Sequence, residues 1–253
     1  QQQALRDLDQ AFRNFFRGTH GYPKWRQRDR AEGFRVVAVL PEHMRQLNAR
    51  AGTVYVPKIG WMRFRWSRPI PAEVKSYRVT RDAAGRWHVA FAWIPPVIDG
   101  PGTGQVVGLD RGVVVSVMTS DGDAFRAPGL RPKEAERLLR LQRRLARAQR
   151  GSHRRLRLKR AVARLRRREA DRRRDWIEQT TTAMARRYDL LKIEALDVLA
   201  MTRSARGIIA QPGRSVRAKA GLNRAILAQG WGLFLTRLRH KAAGRVHLVA
   251  PQY

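Results

Sequence analysis

Apolar side chains recur at three- and four-residue intervals at the start of the chain. Leu5, Leu8, Phe12, Phe15 and Phe16 share one helical face and Gly18 follows as a stop, which predicts a core-facing amphipathic helix over residues 3–17. From about 34 to 95 the period changes to two, the spacing of strands. Trp87, Val89, Phe91 and Trp93 alternate with His88, Ala90, Ala92 and Ile94. Between 61 and 66, Met62, Phe64 and Trp66 fall on one face and Trp61, Arg63 and Arg65 on the other. Asp82-Ala83-Ala84-Gly85 separates two such runs as a hairpin connection. Short strands joined by turns predict a small β-barrel or sandwich.

Residues 97–104, Val-Ile-Asp-Gly-Pro-Gly-Thr-Gly, read as a linker and a domain boundary. Beyond them a short apolar strand over 105–109 ends in Asp110-Arg111-Gly112, and the apolar run 113–118 follows. The turn Asp121-Gly122-Asp123 leads into a third short strand. Residues 131–188 read as two antiparallel helices broken at Gly151-Ser152, with Leu138, Leu141 and Leu145 on one stripe and Leu158, Val162 and Leu165 on another. Then come a strand over 190–193 ending in Glu194, a polar loop around 201–220, a helix over about 221–243 and a strand over 246–250. That order is α/β, with the sheet assembled across insertions. No repeat of 20–50 residues is present.

Charge changes the picture more than composition does. The 253 residues carry 53 Lys and Arg against 20 Asp and Glu, a net +33 that repels itself unless a polyanion neutralises it. Apolar residues make up 43%, too many for a disordered basic tail. No run of about 18 apolar residues is present, so no membrane-spanning helix is predicted. Zero cysteines exclude a disulfide framework and Cys-ligated zinc within these residues. The start QQQALRDLDQ shows neither Met nor a signal-peptide pattern, and with the end at Pro251-Gln252-Tyr253 it suggests a piece of a longer protein. Residues 131–174 hold 20 Lys and Arg, among them Arg143, Arg144, Arg147, Arg154, Arg155, Arg164 and Arg167, against four acids. Helix faces usually balance their charge with opposite pairs four residues apart; this one does not, so a phosphate backbone is the expected neighbour. Trp61, Trp66, Trp87 and Trp93 stand among basic residues in the β segment, where period-two aromatics favour a core and base stacking is the lesser reading.

Asp110 follows the apolar strand Val-Val-Gly-Leu and Glu194 follows Leu-Leu-Lys-Ile. A carboxylate at the end of a buried strand has a rigid seat and an open mouth, which suits hard oxygen ligation of Mg²⁺ for phosphoryl transfer. Asp-X-Gly between apolar runs is equally a hairpin signal, and a strand-end Glu is equally an ordinary surface charge. The six histidines lack ligand spacing, no Gly-rich phosphate loop follows a strand, and no Ser/His/Asp set stands out.

The segment Val107-Gly108-Leu109-Asp110-Arg111-Gly112-Val113 resembles the first catalytic strand of a RuvC-like nuclease of the RNase H fold. The helix over 4–16, Gly21-Tyr22-Pro23-Lys24-Trp25, Ile193-Glu194-Ala195-Leu196 and the stretch from Gly221-Leu222-Asn223-Arg224 to Gln229-Gly230-Trp231 follow in an order that resembles TnpB, the transposon-encoded RNA-guided nuclease family, and the compact type V CRISPR effectors. The likeness covers nearly all of the chain. It implies the end of a helical recognition region over 1–20, a wedge-like β-barrel over 21–100 that grips guide RNA, and an α/β RuvC-like domain over 101–253 with the basic helical hairpin as its insertion. It implies that Asp110 and Glu194 are the first two metal-binding catalytic carboxylates, with two Mg²⁺ ions. It also implies that the third catalytic Asp and a Cys-rich zinc-binding segment lie beyond Tyr253. Lys24, Trp25, Arg63 and Arg65 join the helical arginines as expected nucleic-acid contacts. The partners implied are guide RNA and double- and single-stranded target DNA, in a cytoplasmic bacterial or archaeal protein that uses no membrane. A nuclease-dead RNA-guided repressor and a generic RNA-binding protein are the alternatives; a cut-and-paste transposase has no need of a basic guide-binding module.

Overall fold

The computed structural model describes residues 2–24, 32–37, 39–71 and 73–250. The chain forms two compact units, Gln1–Pro95 with Gly151–Arg164, and Pro96–Arg150 with Leu165–Tyr253.

The first unit opens with helix α1 (Gln2–Phe16) and continues, among the described residues, with six strands: β1 (Gly33–Val37), β2 (Met44–Asn48), β3 (Ala51–Val56), β4 (Gly60–Arg65), β5 (Ser76–Arg81) and β6 (Trp87–Ala92). They pair antiparallel as two three-stranded sheets, β1-β5-β6 and β2-β3-β4. The alternation seen in the sequence is the alternation of faces. Val54 and Val56 from one sheet and Tyr77 and Val79 from the other make a shared core, and Met62, Phe64, Val89 and Phe91 pack against it. The Tyr77 hydroxyl donates to the Tyr55 carbonyl at 2.6 Å, and burial pushes its pKa up to about 12. Gly52 is required where it stands, because a Cβ there would meet the Trp66 ring at 2.4 Å. Asp82 makes the β5–β6 turn by accepting the backbone N–H groups of Ala84 and Arg86, both at 2.9 Å.

Helix α1 departs from the expectation of a core-facing element. None of its described residues is buried, and Leu5 and Phe16 are 67% and 78% exposed. Its aromatic end closes on itself instead. After the turn at Gly18, Tyr22 comes back edge-on to Phe12 and Phe15 at 5.7 and 5.3 Å.

The second unit is built on a five-stranded sheet of β7 (Val106–Asp110), β8 (Val117–Thr119), β9 (Ala124–Phe125), β10 (Leu190–Glu194) and, late in the chain, the strand Val246–Val249. Between these lie helices α2 (Pro132–Arg147), α3 (His153–Arg187) and α4 (Val198–Met201), a minimal hairpin of β11 (Gly207–Ile208) and β12 (Gln211–Pro212), and helices α5 (Val216–Gln229) and α6 (Trp231–Lys241). With Val246–Val249 as β13, the sheet order is β13-β10-β7-β8-β9. The first three strands run parallel, and β8 and β9 add antiparallel. One face of the sheet is packed: Val107, Leu109, Val117, Leu191 and Ile193 meet Ile177 and Met184 of α3, Tyr188 just past its end, and Phe234 and Leu238 of α6. The other face carries the alternate residues and holds the site described below.

Three expectations are corrected. The single helix over 221–243 is two helices, because Gly230 takes a left-handed conformation (φ 74°) that ends α5 and lets Trp231 start α6 buried. The apolar run 113–118 is a loop until Val117, with Val114 86% exposed. That loop is fastened by Gln229, whose amide donates to the Val113 carbonyl and accepts from Ser116 Oγ. The Gly/Pro-rich stretch 97–104 is an ordered strap of the second unit: Asp189 accepts Gly102 N–H and Gly104 N–H at 2.9 and 2.7 Å, and Arg245 holds the Ile98 carbonyl. Three backbone N–H and hydroxyl bonds hold the Asp189 pKa below the usual carboxylate range. Among the described residues no helix is long and apolar enough to cross a membrane.

Candidate functional site

Parallel pairing brings the two sequence-distant carboxylates together. Leu190 to Ile193 of β10 stand opposite Val106 to Leu109 of β7, and one further step puts Glu194 beside Asp110. Neighbouring strands are about 4.8 Å apart, so both side chains leave adjacent backbones on one face. They share a depression of about 480 Å³ with Gly108, Ser120, Lys192 and Val249. Neither carboxylate makes a hydrogen bond or ion pair with its side chain among the described residues. The hairpin signal is met as well: β7 pairs antiparallel with β8, and the connection is closed by Gly112 N–H on the Val115 carbonyl, without the Asp110 side chain.

Behind the pair lies a residue that sequence reasoning passed over. Arg111 is 5% exposed and donates from Nη2 to the main-chain carbonyl of Glu194. Its guanidinium lies 5.9 Å from the Trp231 ring centre. Burial pushes the Arg111 pKa below its usual value, and the negative charges of Glu194 and Asp110 oppose that. The signal in the sequence was an arginine set between a strand-end Asp and a Gly inside an apolar stretch, where a surface charge has no place.

Two unpartnered carboxylates on neighbouring rigid strands are hard oxygen donors of the type that hold Mg²⁺, which completes its octahedron with water and phosphate oxygens. The donor set therefore fits such an ion. Among the described residues no group of three or more His, Cys, Asp and Glu gathers that could hold a metal ion.

The expected nucleic-acid contacts are distributed over both units. In the first, Lys24 is exposed after α1, and Trp25 lies outside the described residues. Arg63 and Arg65 point outward from β4 beside Trp61, whose ring lies 4.2 Å below the Arg45 guanidinium and 5.7 Å from Tyr55. Trp66, by contrast, turns inward against Phe64 at 5.5 Å. Arg154, Arg155 and Arg164 belong to the part of α3 in this unit. In the second unit Arg143, Arg144 and Arg147 are exposed on α2, while Arg167 is held by Asp171 at 2.9 Å.

Comparison with known proteins fits this arrangement. Residues 94–205, which include both carboxylates, match the OrfB_IS605 family model, described as "Probable transposase". The whole chain aligns at 36% identity with "Putative RNA-guided DNA endonuclease InsQ" of Escherichia coli (strain K12), covering 62% of that protein. Over 96% of its length it is 31% identical to a "Putative RNA-guided DNA endonuclease" of Streptomyces pristinaespiralis, covering 56% of it. The chain thus spans about three-fifths of the length of these curated relatives. The likeness to the TnpB family drawn from the ordered motifs agrees with these matches.

Proposed function

We propose that the chain is the guide-gripping β module and the catalytic sheet of an RNA-guided DNA endonuclease. The observation that carries this reading is the pair Asp110 and Glu194: unpartnered, side by side at the ends of central parallel strands, in a chain that aligns throughout with proteins bearing that name. A sheet of three parallel strands extended by two antiparallel ones, with helices packed on one face, supports a RuvC-like site of the RNase H fold. Two packed sheets with a basic and aromatic outer face support the wedge-like role of the first unit, and the net charge of +33 supports guide RNA and target DNA as the polyanions.

In this reading Asp110 and Glu194 would hold Mg²⁺, which when bound would supply Lewis-acid activation of water and charge stabilisation for phosphodiester hydrolysis. The chain's own contribution is geometric and electrostatic. Parallel pairing fixes the spacing of the two carboxylates, Arg111 ties the end of β10 to the end of β7, and the depression admits the backbone of a strand from the open side. Base pairing with the guide selects the sequence, while arginines hold phosphates without reading bases.

The test is Asp110→Ala in the full-length protein with its guide. Mg²⁺-dependent cleavage of a matched DNA should fall by roughly a hundredfold or more, since a metal ligand supports several kcal/mol of transition-state stabilisation. Guide RNA affinity should stay as it is. Cleavage at the wild-type rate would sink the assignment.

A further inference from the structure

The open face of the sheet carries a cation in the same depression as the two carboxylates. Lys192 stands two residues before Glu194 on β10, so both side chains leave the same face, about 6.6 Å apart along the strand. Its register neighbour on β7 is Gly108 and on β13 His247. Beyond Gly108, Ser120 continues the row, bound through its N–H to the Gly108 carbonyl at 2.9 Å. The row thus runs His247, Lys192, Gly108, Ser120, directly below the row that holds Glu194 and Asp110.

Two features of this lysine's setting matter, and only this one of the chain's unpaired cations stands in the carboxylate depression. Gly108 and Ser120 leave the floor beside it open: a Cβ on Gly108 would meet nothing nearer than Ser120 Cβ at 3.7 Å. And Lys192 forms neither a hydrogen bond nor an ion pair among the described residues, although a glutamate sits two positions away on its own face. Its ammonium is a free point charge on a four-carbon stem, held at its root by a rigid central strand.

We infer that Lys192 is a catalytic residue that binds the scissile phosphodiester of the nucleic acid in the Asp110/Glu194 depression. The charge balance of the face supports it. A phosphodiester approaching two carboxylates meets repulsion, which metal ions held by those carboxylates would offset in part. Lys192 supplies a compensating charge one row below, beside Gly108 and Ser120. It donates to a non-bridging phosphate oxygen and moves no proton.

The inference rests on the nuclease reading, so the test separates the two. Full-length protein with its guide is assayed for single-turnover cleavage of a matched DNA as wild type, Asp110→Ala, Lys192→Gln and Lys192→Arg. Guide RNA affinity and the Mg²⁺ concentration for half-maximal rate are measured alongside. Lys192→Gln should cut about ten- to a hundredfold more slowly, the range expected for losing one charge-assisted hydrogen bond. Its guide affinity and Mg²⁺ midpoint should lie within about twofold of wild type, and Lys192→Arg should recover most of the rate. Wild-type cleavage by Lys192→Gln, with Asp110→Ala inactive, overturns the lysine and leaves the site standing. A Mg²⁺ midpoint that shifts as much as the rate, without recovery by arginine, also overturns it, because the lysine then acts through the carboxylates. Full cleavage by Asp110→Ala overturns the site itself.

Discussion

Burying a guanidinium is costly unless its donors are used, and Arg111 uses only part of its set. Nη2 holds the Glu194 carbonyl, while Nε finds no acceptor among the described residues. What compensates is charge: Glu194 and Asp110 both lie near enough to oppose the effect of burial on it. Arg111→Met keeps the apolar bulk against Trp231 but leaves the Glu194 carbonyl without its donor. We expect a loss of about 1–3 kcal/mol in chemical denaturation, and no change in midpoint would show that the bond contributes nothing. At this scale the sequence was partly readable. Asp110 and Glu194 announced themselves because each ends an apolar run. Arg111 and Lys192 did not, because one looked like part of a turn and the other like an ordinary outward-facing strand residue. Their roles depend on parallel pairing between segments more than 80 residues apart, which no local pattern encodes.

Elements that speak through periodicity were legible; their ends and partners were less so. The strand faces of 61–66 came out as the alternation demands and Val89 and Phe91 pack inward, but the aromatics expected in a core are exposed at Trp61, at Trp87 and at Trp93, which lies past the end of β6; β10 was bounded to within a residue. The barrel-or-sandwich expectation resolves into two packed three-stranded sheets among the described residues. Periodicity misplaced α1, since a helical stripe of Leu and Phe reads the same whether a core covers it or Tyr22 does. It also fused α5 with α6, because a single left-handed glycine does not interrupt an apolar pattern. The start of α2 carries a pH-sensitive fastening. Glu134 accepts two hydrogen bonds from Arg172, at 2.6 and 2.9 Å, and one from the Arg131 N–H, and these hold its pKa down from 4.5 to about 2. A carboxylate with a depressed folded-state pKa stabilises the fold above its unfolded value and loses that contribution as the pH falls through the folded one. Melting temperature followed from pH 5 to pH 2 should therefore decline, with the steepest part below about 4.5. Glu134→Gln should flatten that limb; an unchanged acid profile would remove Glu134 from the cause.

Charge is the property that only the whole molecule explains. In residues 131–174 the 20 basic residues face four acids, and three of those acids are already taken within the helices: Glu134 by Arg172, Glu169 by Arg166 and Asp171 by Arg167. Arg143, Arg144, Arg147, Arg154 and Arg164 form no ion pair among the described residues. A helix face so unbalanced stores repulsion that a polyphosphate relieves, and each phosphate neutralised releases condensed counterions. The consequence is quantitative. If Arg143, Arg144 and Arg147 each hold a phosphate, replacing all three by glutamine in the full-length complex removes about 0.7 to 0.9 per contact from the slope of log affinity against log salt concentration. The loss should be nearly independent of guide or target sequence, since an arginine on a phosphate oxygen carries no base information. Affinity of the triple variant measured from low to physiological salt should converge on wild type as salt rises. A parallel pair of salt curves would mean that these arginines face solvent, and that the polyanion is held by other basic surfaces of the chain.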